Sequence, residues 1–258
     1  MAGAGAAEAK DSAQQTGSQL AVGGTAIVRE VIDGDTVLLD RDVAGSREVR
    51  LVGLQAPKLP LGRKDFREWP LAKEAKRELE SIVLRRTVEV GFGGQRVDRN
   101  RRLLAHMTRD DGLWVQGAML SAGMARVYSF ADNRARVGEM LALERVARDQ
   151  RRGIWAHPYY AIRTPDHAAK HINSFELVEG KVLDIAVVSG RAYLNFGENW
   201  RTDFTVTMDA KTVRQFAQEG LKPAGYKGRT VRVRGWLQSR DGAMIDVTHP
   251  EQIEVLDE

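Results

Sequence analysis

The sequence predicts a mainly β chain with packed helices, an α+β fold in which a five-stranded barrel is followed by a second, smaller β barrel. Three observations predict it. Two β-branched runs are split by an Asp-Gly turn at Asp33-Gly34. Strand-like and helix-like periods then follow one another up to Trp155. A second set of strand-like runs begins at Val178, beyond a stretch rich in Pro, His and Tyr.

Residues 1–24 are rich in Ala, Gly, Ser and Gln, with hardly any large apolar side chain before Leu20. They bury too little to offset ordering entropy, so a disordered arm is expected. The arm lacks the basic start and apolar centre of a signal peptide. The runs Ala26–Ile32 and Thr36–Leu39 flank the Asp-Gly turn, the strongest short-range signal for a hairpin. Glu48–Leu54 supplies a third strand after Gly45-Ser46, and Lys58–Pro70, entered through Pro57, reads as a loop. Beyond Pro70, Leu71, Ala75, Leu79, Ile82 and Val83 recur at three and four residues and predict a helix. A strand over Thr87–Phe92 and a hairpin through Leu103–Met107 follow. Helices are then predicted over about 114–122 and 135–150, the second stopping at Gly153. This is the order of a five-stranded barrel with packed helices.

Residues 159–174 read as a linker between a first unit at 25–158 and a second at 175–258. In the second, strands are predicted over 178–185, 191–196, 203–208, 229–235 and 244–247, with a helix near 212–218. Three strands, a helix and two strands is the order of an OB-like barrel, a common scaffold for nucleic acid. Its aromatics Tyr193, Phe196, Trp200, Phe204 and Trp236 interleave with Arg191, Arg201, Arg232 and Arg234. That mixture suits a single strand wherever the aromatics are not taken up by a core.

Apolar residues at 43% and charged residues at 29% place the chain among globular proteins. No run approaches the roughly 18 apolar residues of a membrane-spanning helix. There is no cysteine. Disulfides, thiolate metal sites and a thiol nucleophile are therefore excluded, while the compartment stays open between cytosol and a periplasmic or secreted location reached after loss of a signal. His157, His167, His171 and His249 show no metal-ligand spacing and read as linker and turn residues, with Trp69, Tyr159 and Tyr160 as packing anchors. The net charge is +4 and the isoelectric point about 9.4, with arginines clustered at Arg99, Arg101 and Arg102. Such a cluster fits a phosphate-rich partner or a solvated mixed-charge surface.

Three segments carry a resemblance: Val31-Ile32-Asp33-Gly34-Asp35-Thr36, Arg50 to Pro57, and Asp98 to Ala105. With Glu74-Ala75, Gly123 to Tyr128 and Gly153-Ile154-Trp155, they stand in the order found in the staphylococcal nuclease (thermonuclease) family, which the chain resembles over half its length. The resemblance implies a nuclease barrel acting on DNA or RNA. It also implies a calcium ion held by aspartates, a glutamate general base and two phosphate-gripping arginines. Carried over, the first metal aspartate is Asp35, with Asp33 its turn neighbour, and the arginines are Arg50 and Arg102. Arg99 and Arg101 are expected to add nucleic-acid contacts.

The remaining positions depart from the family pattern. Gln55 stands at the second metal aspartate, Ala56 at the carbonyl ligand and Lys58 at the general base, and Asn100-Arg101 replaces the usual Tyr-Gly. Three carboxylates become one carboxylate, an amide and an ammonium, so calcium binding is expected to be weak or absent and the family mechanism not to transfer. Three readings stay open: a phosphate-binding member with a degenerate active site, an active nuclease with a base relocated to Asp65 or Glu68, and a non-catalytic protein-interaction module. Oligomeric state is not legible.

Overall fold

A computed structural model of the chain describes residues 20–199 and 201–256. Strands β1 (Ala21–Asp33), β2 (Thr36–Val43) and β3 (Ser46–Leu51) form an antiparallel meander. A short strand β4 (Gly53–Gln55) and helix α1 (Ala72–Val83) precede β5 (Thr87–Phe92) and β6 (Leu103–Arg109). The barrel closes in the order β1-β2-β3-β6-β5, with β3 and β6 parallel. One long strand makes the closure possible: residues 21–27 of β1 pair with β5, and residues 28–33 pair with β2. Register shifts between Val28 and Glu30 and between Val31 and Asp33 alter the alternation, so Ala26, Val28, Val31 and Asp33 are all buried.

Helices α2 (Val115–Ser121) and α3 (Val137–Asp149) cover the barrel with α1, burying Leu79, Met119, Leu120 and Met140. Between α2 and α3, the short strand β7 (Arg126–Tyr128) pairs with β4. The sequence reading does not foresee this pair, because three residues carry no period. Gly53 enters β4 at φ +83, and a Cβ there would lie 2.7 Å from the Met140 sulfur.

Two expectations need correction. The arm expected to reach residue 24 ends sooner, because Ala21 to Gly24 already pair with β5; residues 1–19 lie outside the described part. The stretch 159–174 is not an irregular linker. It folds into a 3-10 turn at Pro158–Tyr160, helix α4 (Pro165–Ala168) and a turn at Ala169–His171. Its aromatics pack back on the first unit: the Tyr160 hydroxyl donates to the Pro70 carbonyl at 2.7 Å, and the Tyr159 ring lies 5.9 Å from Trp69.

The second unit comprises β8 (Phe175–Lys181), β9 (Asp184–Val188), β10 (Arg191–Asn195), β11 (Thr205–Met208), helix α5 (Ala210–Gln218), β12 (Thr230–Ser239), β13 (Ala243–Val247) and β14 (Ile253–Val255). The strand expected over 178–185 is thus two, interrupted at Val182-Leu183. They form a seven-stranded sheet in which β9-β10-β11-β13-β12-β8 follows the pairing order of the first barrel. β8 and β9 take the places of the two halves of β1, and β11 and β13 are the parallel pair. Phe196 and Phe204 belong to this unit's core, Arg234 is buried, and Trp200 lies outside the described residues.

The two units meet across a buried ion network. Arg234 donates to Glu144 on α3 at 2.9 and 3.1 Å, to Glu254 at 2.5 Å and to the Val127 carbonyl at 3.2 Å. Glu144 also accepts from the Val127 N–H at 2.5 Å and from Arg148 at 2.9 Å. β7 is therefore held between the units, which fixes the position of Tyr128 and the residues after it.

Candidate nucleic-acid interface

Asp33 ends β1 and Asp35 sits in the turn to β2, where the Asp35 N–H donates to the Asp33 carboxylate at 3.1 Å. Gly34 allows the close approach this turn requires, since a Cβ there would lie 2.7 Å from Ala56 and 2.8 Å from Ala75. Arg50 comes from β3, opposite Thr36, and its guanidinium lies 2.8 Å from the Asp35 carboxylate. Arg50 also donates to the Leu51 and Leu54 carbonyls at 3.2 and 3.0 Å.

Asp35 is wholly buried, and its partners nearly enclose it. The Ala56 N–H donates to it at 2.9 Å, the Thr36 hydroxyl at 3.2 Å, and the Lys58 ammonium contacts its two oxygens at 2.5 and 2.6 Å. Lys58 reaches Asp33 as well, at 3.3 Å. Burial pushes the Asp35 carboxyl up, but the Arg50 and Lys58 charges overcome it and hold it well below the usual carboxylate range. Burial and the adjacent Asp35 charge push Asp33 up, against Lys58.

Arg102 precedes β6 and is tied to Asp98, which receives its Nε at 2.8 Å while also accepting the Asn100 and Arg102 N–H groups. Arg50, Lys58 and Arg102 open onto one cleft of about 940 Å³. Five cations line it, Arg50, Lys58, Arg63, Arg99 and Arg102, against the carboxylates of Asp33, Asp98 and Asp132. Its lining also includes the aromatics Tyr128, Phe130 and, from the second unit, Trp236, whose ring N–H donates to the Tyr128 hydroxyl at 2.8 Å.

Gln55, expected beside Asp35, is turned elsewhere. Its carbonyl accepts from the buried Arg126 at 2.8 and 3.1 Å. Arg101 is exposed and does not line the cleft. Nor do Asp65 and Glu68: both are exposed, and Glu68 lies 3.6 Å from Lys73. Arg63, Phe130, Asp132 and the cleft-facing role of Trp236 escape sequence reading, since no motif joins residues so far apart.

The sequence model of the family described as staphylococcal nuclease homologue matches residues 48–157. An Escherichia coli O157:H7 protein named uncharacterized endonuclease is 33% identical over 132 residues, covering 50% of this chain and 75% of its own. The Escherichia coli protein named ParB is 36% identical over 142 residues, 51% of this chain and 72% of its own. The chain belongs to the staphylococcal nuclease family. A similar segment occurs in Endonuclease YhcR of Bacillus subtilis (strain 168), 28% identical over 135 residues, which span 50% of this chain but 11% of that protein.

Staphylococcal nuclease relatives generally depend on calcium, which seeks several hard oxygens, preferably charged. The residues that the resemblance assigns to the ion do not fit it. Both oxygens of Asp35 face the Lys58 ammonium, one of them also faces the Arg50 guanidinium, and the Gln55 amide oxygen is taken up by Arg126.

Proposed function

We propose that this member of the nuclease family binds the phosphates of single-stranded nucleic acid in the cleft over Arg50 and Arg102, and that the family's calcium-and-glutamate hydrolysis is not its function. In this reading residues 25–158 carry the phosphate site and residues 175–258 add to its lining. One observation carries the proposal: five cations and the exposed rings of Phe130 and Trp236 line the same cleft. Guanidinium groups match phosphate oxygens, and bases of any sequence stack on aromatic faces. Arg50 Nε and Arg102 Nη1 have no hydrogen-bond partner among the described residues, so each has N–H groups for a ligand. A duplex cannot offer its bases to Phe130 and Trp236 without unstacking.

The test is fluorescence anisotropy with labelled oligothymidylate, oligouridylate and a duplex of equal length. The single strands are expected to bind in about the micromolar range, with Arg102→Ala weakening them about tenfold and reducing the salt slope by about 0.7. Trp236→Ala is expected to weaken single strands by about 1–3 kcal/mol and leave the duplex unaffected. Absence of binding at about 100 μM, well above the affinity such contacts supply, overturns the reading.

A further inference from the structure

The misfit between this centre and calcium has a definite form. An ammonium carries three N–H donors and no acceptor. Lys58 meets three carboxylate oxygens, two on Asp35 and one on Asp33, so its charge is set between the two side chains. Asp35 in turn accepts from Lys58, the Ala56 N–H and the Thr36 hydroxyl and pairs with the Arg50 guanidinium at 2.8 Å, so its oxygens are already surrounded where a metal would need them. Asp35 is completely buried, and an ionised carboxylate there requires a counter-charge. Arg50 supplies one, but Asp33 adds a second carboxylate beside it. The second cation comes from the chain itself, on the residue after Pro57.

We propose that the Lys58 ammonium is a tethered replacement for the divalent cation. The centre carries its own cation, so occupancy needs no ion from solution, and removing the ammonium opens the Asp33–Asp35 pair to calcium. The ammonium's charge is directed at the Asp33 and Asp35 carboxylates, which it contacts. It sustains the folded centre and leaves the phosphate to Arg50 and Arg102. That last clause rests on the proposed phosphate binding; the replacement of the metal does not.

The experiment uses the full chain as wild type, Lys58→Glu, Lys58→Met, and Lys58→Glu combined with Asp35→Asn. Melting temperature and calorimetric heat are followed as calcium chloride is added in EDTA-stripped buffer. For the wild type the melting temperature is expected to stay within about 1 °C up to about 10 mM calcium, well above the range of ordinary calcium sites. Lys58→Glu is expected to gain calcium binding at roughly millimolar affinity or better, at least tenfold over wild type, with a matching rise in melting temperature that Asp35→Asn removes. Lys58→Met, which vacates the position without adding a ligand, is expected to gain a smaller calcium response.

Two results overturn the proposal. One is a calcium-induced rise in wild type. The other is a pair of folded Lys58 variants, neither of which gains calcium binding. Should both variants fail to fold, the wild type decides through a second measurement: oligothymidylate affinity within twofold between EDTA and calcium supports the proposal, and an affinity raised by calcium overturns it. A wild type that binds no oligonucleotide, yet gives the expected calcium series, sinks the phosphate-binding reading and leaves the tethered cation standing.

Discussion

Gln55 and Lys58 occupy positions where the family resemblance leads one to expect carboxylates, and each is engaged by a partner of opposite need. Gln55 offers a neutral acceptor to Arg126, a guanidinium that is almost wholly buried and lies 4.8 Å from the Phe175 ring centre. Gln55→Ala removes that acceptor and leaves buried N–H groups without it. A loss of about 1–3 kcal/mol in urea denaturation is expected, and a loss below about 0.5 kcal/mol refutes the pairing's contribution. The substituted positions are legible in the sequence because Asp33, Asp35, Arg50, Gln55 and Lys58 lie in one short segment with a fixed motif order. What satisfies them is less legible. Arg126 stands 71 positions from Gln55, and nothing in the pattern of either segment announces the other.

At the scale of elements, the motif pieces Gly123 to Tyr128 and Gly153-Ile154-Trp155 prove to be two sides of one crossing. The turn after α2 passes against the turn after α3, and the Ile154 N–H donates to the Gly123 carbonyl at 2.8 Å. Gly123 has φ +68 and Gly153 has φ +50, and a Cβ on Gly153 would lie 2.3 Å from the Gly123 carbonyl oxygen. Both the backbone conformation and the approach demand glycine. Gly153→Ala is expected to cost about 1–3 kcal/mol, seen as a lowered denaturation midpoint with an unchanged slope; stability equal to wild type would mean that the crossing can relax. Long elements of strong period, such as α1 and β5, are readable close to their ends. The pair β4–β7 is not, since each strand is three residues long and exists because the other does. The break between β8 and β9 escapes for a related reason: strand propensity continues through Val182-Leu183 while the pairing partner changes from β12 to β10.

Over the whole molecule, the ion network and the contacts around it join the units so closely that the aromatic lining of the cleft depends on both. Arg134 spans to Glu219 and Glu251 through hydrogen bonds of 2.6–2.9 Å, and Ser129 pairs with His249 at 2.7 Å. His249, expected as a turn residue, is thus part of the interface and only 1% exposed. Burial pushes its imidazole down to about 4, helped by the charges of Arg134 and Arg234 and opposed by Asp132 and Glu219. His106, beneath Trp114, is likewise pushed down to about 4, first by burial and then by Arg136, with Glu139 opposing. Both histidines are neutral in the folded chain near pH 5, whereas in the unfolded chain they bind protons below about 6.5. The unfolded state therefore takes up more protons between about pH 6.5 and 4, and stability falls as pH falls through that window. A depression from 6.5 to about 4 corresponds to about 3 kcal/mol for each group. Stability is expected to be level from about pH 7 to 8 and to decline steeply toward pH 4 in urea titrations at a series of pH values. His249→Gln, which keeps a polar partner for Ser129 but cannot titrate, is expected to remove about half of that decline. An unchanged pH slope in His249→Gln would show that the buried interface tolerates the imidazolium, and that another group sets the acid sensitivity of the chain.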